Sequence, residues 1–100
     1  RDLLTSFEEE SARLMSDIEG ALAAQDYGRW HDHLHMLKGG ASDVGANCLA
    51  QRCAEAERLK PYEMTGQVAF HKLDEVRFAL AEAQTALAAY LDRKLRAENA

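Results

Sequence analysis

The chain is 100 residues long, 47% hydrophobic, with one proline and a formal net charge of −5. That describes one domain with a modest core, too rich in Ala, Leu and Glu to be a disordered segment and too acidic for a general affinity for nucleic acid or anionic membranes. No run approaches the ~20 apolar residues of a membrane span, and no secretory h-region is present.

Helical periodicity dominates from end to end, and no strand pattern competes with it. Residues 1–5 read as a short helical lead-in. Ser6 then reads as an N-cap, with Glu9 completing a capping box. The stripe Phe7, Leu14, Ile18, Ala21 and Leu22 predicts a first helix over about 7–24. Glu8-Glu9-Glu10 places negative charge near its N-terminus, and Gly20 is either a mild cost or a point of close packing. Asp26 is the expected N-cap of a second helix over about 27–44, and Gly45 turns the chain after it. Asn47 is positioned to cap a third helix over about 48–60, with Leu49, Cys53, Ala56 and Leu59 inward and Pro61 ending it. Residues 61–66 are a linker, and Thr65 is placed to cap the last helix, over about 66–96. Its stripe of Phe70, Leu73, Val76, Leu80, Ala83, Leu87 and Leu91 is close to a heptad repeat.

Four helices with short connections predict an all-α, antiparallel four-helix bundle. The last helix is much longer than the third, so its end should project or pair elsewhere, which keeps self-association open. Cys48 and Cys53 fall on different sides of one helix, which argues against an internal disulfide. Free thiols suit a reducing cytoplasm. A chain that begins at Arg1 is expected to be part of a longer protein.

The second helix carries the distinctive stretch, His35-Met36-Leu37-Lys38-Gly39-Gly40-Ala41-Ser42-Asp43-Val44-Gly45-Ala46. Trp30, Leu34, Leu37, Ala41 and Val44 form its apolar stripe, with Tyr27 at the boundary. His35, Lys38, Gly39 and Ser42 lie on the opposite, wet side. Two adjacent glycines cost a helix roughly 2 kcal/mol relative to alanine, yet the stripe continues past them. Gly39 would keep the surface beside His35 bare for a bulky partner, and Gly40 would let a neighbouring helix pack close. An exposed imidazole is a competent nucleophile toward phosphorus, and Lys38 at i+3 can meet the charge of the resulting phosphoramidate. No phosphate-cradling loop follows a strand and no acidic cluster is built for Mg²⁺. The chain therefore has little means of driving phosphoryl transfer alone.

His35-x-Leu37-Lys38-Gly39 followed by Val44-Gly45-Ala46 resembles the signature of the histidine phosphotransfer (HPt) domain. The likeness extends more weakly from about Phe7 to Leu59 and includes Cys53-x-x-x-Glu57. Gly40 departs from it, since the family more often has Ser, Ala or Thr there. The resemblance implies that His35 is the phosphoacceptor, Lys38 the support for the phosphoryl group, Gly39 the access glycine and Gly45 the turn after the motif helix. It also implies a receiver domain as partner, which brings the acceptor aspartate and the Mg²⁺, and Nε2 as the reacting nitrogen. The expected role is a relay between receivers in two-component signalling, without autonomous kinase activity, within the cytoplasmic part of a bacterial hybrid sensor kinase.

His31, one turn before His35, reads as a flanking or partner-contacting residue, and Ser42 as a further partner contact. Two other readings stay open. One is a helical interaction module that binds a receiver or kinase without covalent chemistry. The other is a metal-binding bundle using His31 and His35, which lacks an evident third ligand. His33 is expected at the core boundary, and His71 has no motif around it.

Overall fold

A computed structural model describes residues 2–99. It contains four α-helices, α1 (Asp2–Ala23), α2 (Tyr27–Asp43), α3 (Asn47–Glu57) and α4 (Gln67–Asn99), with a 3-10 turn at Pro61–Thr65 between the last two. Each helix packs on its neighbours in sequence, and α4 closes the ring against α1. Two polar links, Glu19–Arg77 at 2.8 Å and Ser11–Gln84 at 3.4 Å, run in opposite chain directions and make α1 and α4 antiparallel. No helix among the described residues is long and apolar enough to cross a membrane.

The helix ends follow local chemistry. α1 and α2 both close with paired backbone bonds: Gln25 to Leu22 with Asp26 to Ala21, and Gly45 to Ser42 with Ala46 to Ala41. Each pair places one residue in the left-handed region, Gln25 at φ 55° and Gly45 at φ 76°. This is the Schellman termination, and glycine occupies that position at least cost. The Asp26 carboxylate accepts from the Arg29 N–H at 3.2 Å and so caps α2 as expected.

Other expected ends move. α1 starts at Asp2, because half-buried Leu4 carries the apolar stripe back one turn. Ser6 therefore lies inside the helix and caps nothing. The Glu8–Glu10 run sits beyond the first turn, where Glu10 pairs with Arg13 at 2.6 Å. α3 begins at Asn47 itself, behind Ala46, with no side-chain cap. It ends at Glu57, about a turn early, because Pro61 holds Lys60 extended at ψ 155°. The linker is a 3-10 turn in which the Glu63 carboxylate accepts the Lys60 N–H at 2.7 Å. The Thr65 hydroxyl donates back to the Tyr62 carbonyl and does not cap α4.

The core is built from the expected stripes: Leu14, Ile18, Ala21 and Leu22 of α1, Trp30, Leu34, Leu37 and Ala41 of α2, and Leu49, Cys53 and Ala56 of α3. On α4 the buried line runs through Ala69, Leu73, Val76 and Leu80, so Phe70, one residue off it, is 54% exposed. Gly20 and Gly40 are not points of close packing. A Cβ on Gly20 would meet only the Arg29 side chain at 3.7 Å, and one on Gly40 would meet nothing within 4 Å. Both cysteines are free, Cys48 exposed and Cys53 buried. Burial pushes the Cys53 thiol up to about 12, with the Glu57 charge adding to the shift and Lys38 opposing it.

Candidate functional site

α2 presents its polar face beside the C-terminal end of α3, and the motif residues gather there. The His35 side chain is 65% exposed. Lys38 lies one turn on, and Gly39 opens directly to solvent, with nothing within 4 Å of where a Cβ would stand. Ser42 is exposed a further turn along. Gly45 forms the turn. Beside Gly39 and Gly40, a groove of about 410 Å³ runs between α1 and α2 over Leu14 and Leu37, with exposed Met36 on its rim.

The residue that organises this surface is Glu57, in the last turn of α3. Its carboxylate is almost buried and meets three basic side chains of α2. Lys38 Nζ stands 2.6 Å from Oε1, His35 Nδ1 is 3.3 Å from Oε2, and His31 Nε2 is 3.5 Å from the same Oε2. Burial is the largest single influence on Glu57 and disfavours its charge. The Lys38 hydrogen bond and charge, reinforced by His35, outweigh it and hold the carboxyl below the ordinary glutamate value. A carboxylate can only accept, so His35 carries its proton on Nδ1 and donates it to Glu57. Nε2 has no hydrogen-bond partner among the described residues.

His31 packs one turn below with its ring parallel to that of His35, the centroids 6.5 Å apart. Both its nitrogens face carboxylates, Nδ1 toward Asp32 at 3.3 Å and Nε2 toward Glu57. The structure thus brings His31, His35, Lys38 and Gly39 together and leaves Ser42 two turns from the imidazole. Sequence reasoning gave Glu57 no role, although the Cys53-x-x-x-Glu57 spacing sets it on the same face of α3 as buried Cys53. His33 is half-buried at the boundary and donates from Nδ1 to the Arg29 carbonyl at 2.8 Å. His71 is exposed on α4, its Nε2 3.7 Å from Glu75. Among the described residues no group of three or more His, Cys, Asp or Glu is placed to hold a metal ion, and the His31/His35 pair gains no such set.

This arrangement can support a nucleophilic imidazole with a cation beside it and open space in front. Comparison with known proteins identifies a family. A family model described as "Hpt domain" matches residues 2–97. A 54-residue stretch is 39% identical to the "Pseudo histidine-containing phosphotransfer protein 1" of Oryza sativa subsp. japonica, over 52% of this chain and 29% of that protein. The match therefore spans less than a third of that relative's length. No solved structure matches the chain.

Proposed function

This chain belongs to the Hpt domain family, a family that works with receiver domains in phosphorelays, and on that premise we propose that His35 is its phosphoacceptor and carries a phosphoryl group from one receiver to another. The observation that carries this reading is the His35–Glu57 hydrogen bond, which occupies Nδ1 and leaves Nε2 bare at the surface.

In the forward step the Nε2 lone pair attacks the phosphorus of an aspartyl phosphate. The N–P bond forms as the P–O bond to the aspartate breaks, and the carboxylate leaves with the electron pair. The ring becomes an N-phosphoryl imidazolium, and its positive charge faces Glu57. In the return step the N–P bond breaks and the pair goes back to Nε2. No proton moves in either direction, because Glu57 keeps it on Nδ1. Lys38, 2.6 Å from Glu57 Oε1, would exchange that contact for one with the phosphoryl oxygens. The receiver would bring the Mg²⁺, which shields phosphoryl charge during transfer.

Glu57→Gln keeps an acceptor for Nδ1 and removes the charge. Transfer to and from receiver should slow by about 10–100-fold, as for other carboxylates that orient an imidazole. The same variant has a stability signature. The native carboxyl titrates below its unfolded value, so its contribution is present above the ordinary glutamate range and is lost as pH falls through the native value. Acid unfolding of Glu57→Gln should lack that component. Unchanged transfer rates and unchanged acid unfolding would remove Glu57 from this role.

The docking surface is proposed to be the open patch around Gly39 and the adjoining groove, with His31 and Ser42 at its edge. Gly39→Glu fills free space and improves helix propensity by roughly 0.5–1 kcal/mol. It should leave the bundle intact while weakening receiver binding at least about tenfold, or ~1.4 kcal/mol. Equal affinities in a titration would place the docking surface elsewhere.

A second reading is a module that binds a receiver without covalent chemistry. It draws on the rice relative, whose name marks it as a pseudo phosphotransfer protein. Mixing the chain with phosphorylated receiver and Mg²⁺ separates the two. The relay predicts label on this chain that is acid-labile and alkali-stable, as a phosphoramidate is. Binding without label, across receivers that bind, supports the module.

A further inference from the structure

We propose that His31 is a positioning residue for the transfer: it stands in reserve beside Glu57 and takes over the carboxylate when Lys38 turns to the phosphoryl group. This rests on the reading that His35 carries that group.

Glu57 depends on its partners more than they depend on it. Its side chain is only 10% exposed, and Oε1 is closed to solvent. In the resting site Lys38 Nζ stands 2.6 Å from that oxygen. Burial works against the Glu57 charge, and the Lys38 hydrogen bond and charge do most to offset it. The same lysine is the cation nearest to where the phosphoryl group would sit. Phosphoryl oxygens carry more charge than a carboxylate and compete with Glu57 for the ammonium. Once Lys38 is drawn away, a nearly buried carboxylate would be left with the His35 Nδ1–H alone. A buried charge short of partners is costly, and that cost would fall on the transfer step.

His31 is placed to offset it. Its ring lies one turn before His35 on α2, parallel within 4° and with the centroids 6.5 Å apart. Tyr27 flanks its other side, tilted, at 6.1 Å. The two imidazoles reach for one carboxylate, with His35 Nδ1 3.3 Å and His31 Nε2 3.5 Å from Oε2. At 3.5 Å the His31 contact is longer than a good hydrogen bond, as suits a partner held back while Lys38 is in place. The terminal torsion of a glutamate is soft. With Oε1 released, the carboxylate can turn to give one oxygen to each imidazole. An ionised Glu57 only accepts, so His31 donates from Nε2. Asp32, which faces Nδ1 of His31 at 3.3 Å, is 77% exposed and can turn to water. No other basic side chain among the described residues pairs with Glu57, and Cys53, one turn back on α3, stays a neutral thiol. One lysine can therefore serve two anions in turn.

Lys38→Met leaves Glu57 as it stands after the lysine has turned away, and so gives a test that needs no receiver. Glu57 is titrated in it by carbon-13 NMR over about pH 3–7. On this background His31→Leu should make Glu57 about tenfold easier to protonate, the loss expected for a hydrogen bond to a charged group. His31→Gln, which keeps a donor, should restore most of the difference. In a second arm, saturating phosphorylated receiver should label the single variant His31→Leu about tenfold more slowly than the parent chain. His31→Gln should recover most of that rate, and receiver affinity should change far less than the rate does. Circular dichroism confirms the fold of each variant. A Glu57 titration indifferent to His31→Leu overturns the proposal. So does a parental transfer rate in His31→Leu, or an affinity that falls in step with the rate, which would make His31 a docking contact only. A parent chain that takes no label would instead overturn the reading of His35, and the titration alone would then decide whether Glu57 leans on His31.

Discussion

His35→Gln is expected to fold like the parent chain and to take no label from a phosphorylated receiver. The side chain is 65% exposed and sits mid-helix, so exchanging it should alter stability by no more than about 0.5 kcal/mol. Glutamine can also donate to Glu57, which keeps that carboxylate partnered. What disappears is the ring lone pair, and an amide nitrogen does not replace it as a nucleophile. His31 is the obvious rival acceptor, since it shares the face and is itself 43% exposed. Both of its nitrogens, however, are turned to carboxylates, whereas His35 engages only Nδ1. His31→Gln should therefore keep its label. Labelling of His35→Gln at the parental rate, or loss of label confined to His31→Gln, would reassign the acceptor.

The architecture was legible because three stripes fall on the core side without ambiguity: Leu14–Ile18–Leu22, Trp30–Leu34–Leu37–Ala41 and Leu49–Cys53–Ala56. Gly45 was legible for a separate reason, since a left-handed residue after a long helix favours glycine. The equivalent turn at Gln25 was not, because nothing in a glutamine marks a positive φ. Cap signals misled where tertiary burial won. Ser6 and Glu9 form a valid capping box on paper, but burying Leu4 extends α1 past them. Thr65 lost its place to the 3-10 turn that Glu63 and Lys60 build. At the site, periodicity separated the wet face of α2 from its buried one. It could not show that Glu57, 22 residues from His35, reaches across to it, because that contact depends on where α3 ends. Pro61 decides that end, and the shortened α3 leaves Glu57 in its last turn.

Trp30→Ala carries the largest expected loss of stability. The indole is fully buried between α2 and α3, and its Nε1–H donates to the Ala56 carbonyl at 3.1 Å. Removing a buried tryptophan costs about 3–5 kcal/mol, out of the roughly 5–15 kcal/mol that holds a domain folded. The Ala56 carbonyl still accepts from the Leu59 N–H at 3.2 Å, so the cavity dominates the loss. Thermal unfolding should fall by roughly 15–30 °C. Phe70→Ala, at an exposed aromatic, should move it by no more than a few degrees and serves as the control. The tryptophan also bears on function. Ala56 precedes Glu57, so the indole bond pins the end of α3 at the height where Glu57 meets His35 and Lys38. Below its unfolding temperature Trp30→Ala should still be helical, yet transfer more slowly than its folded fraction accounts for. Trp30→Phe refills most of the cavity without restoring the bond, and should recover stability more fully than transfer. Equal recovery of both would mean that packing alone sets the position of Glu57.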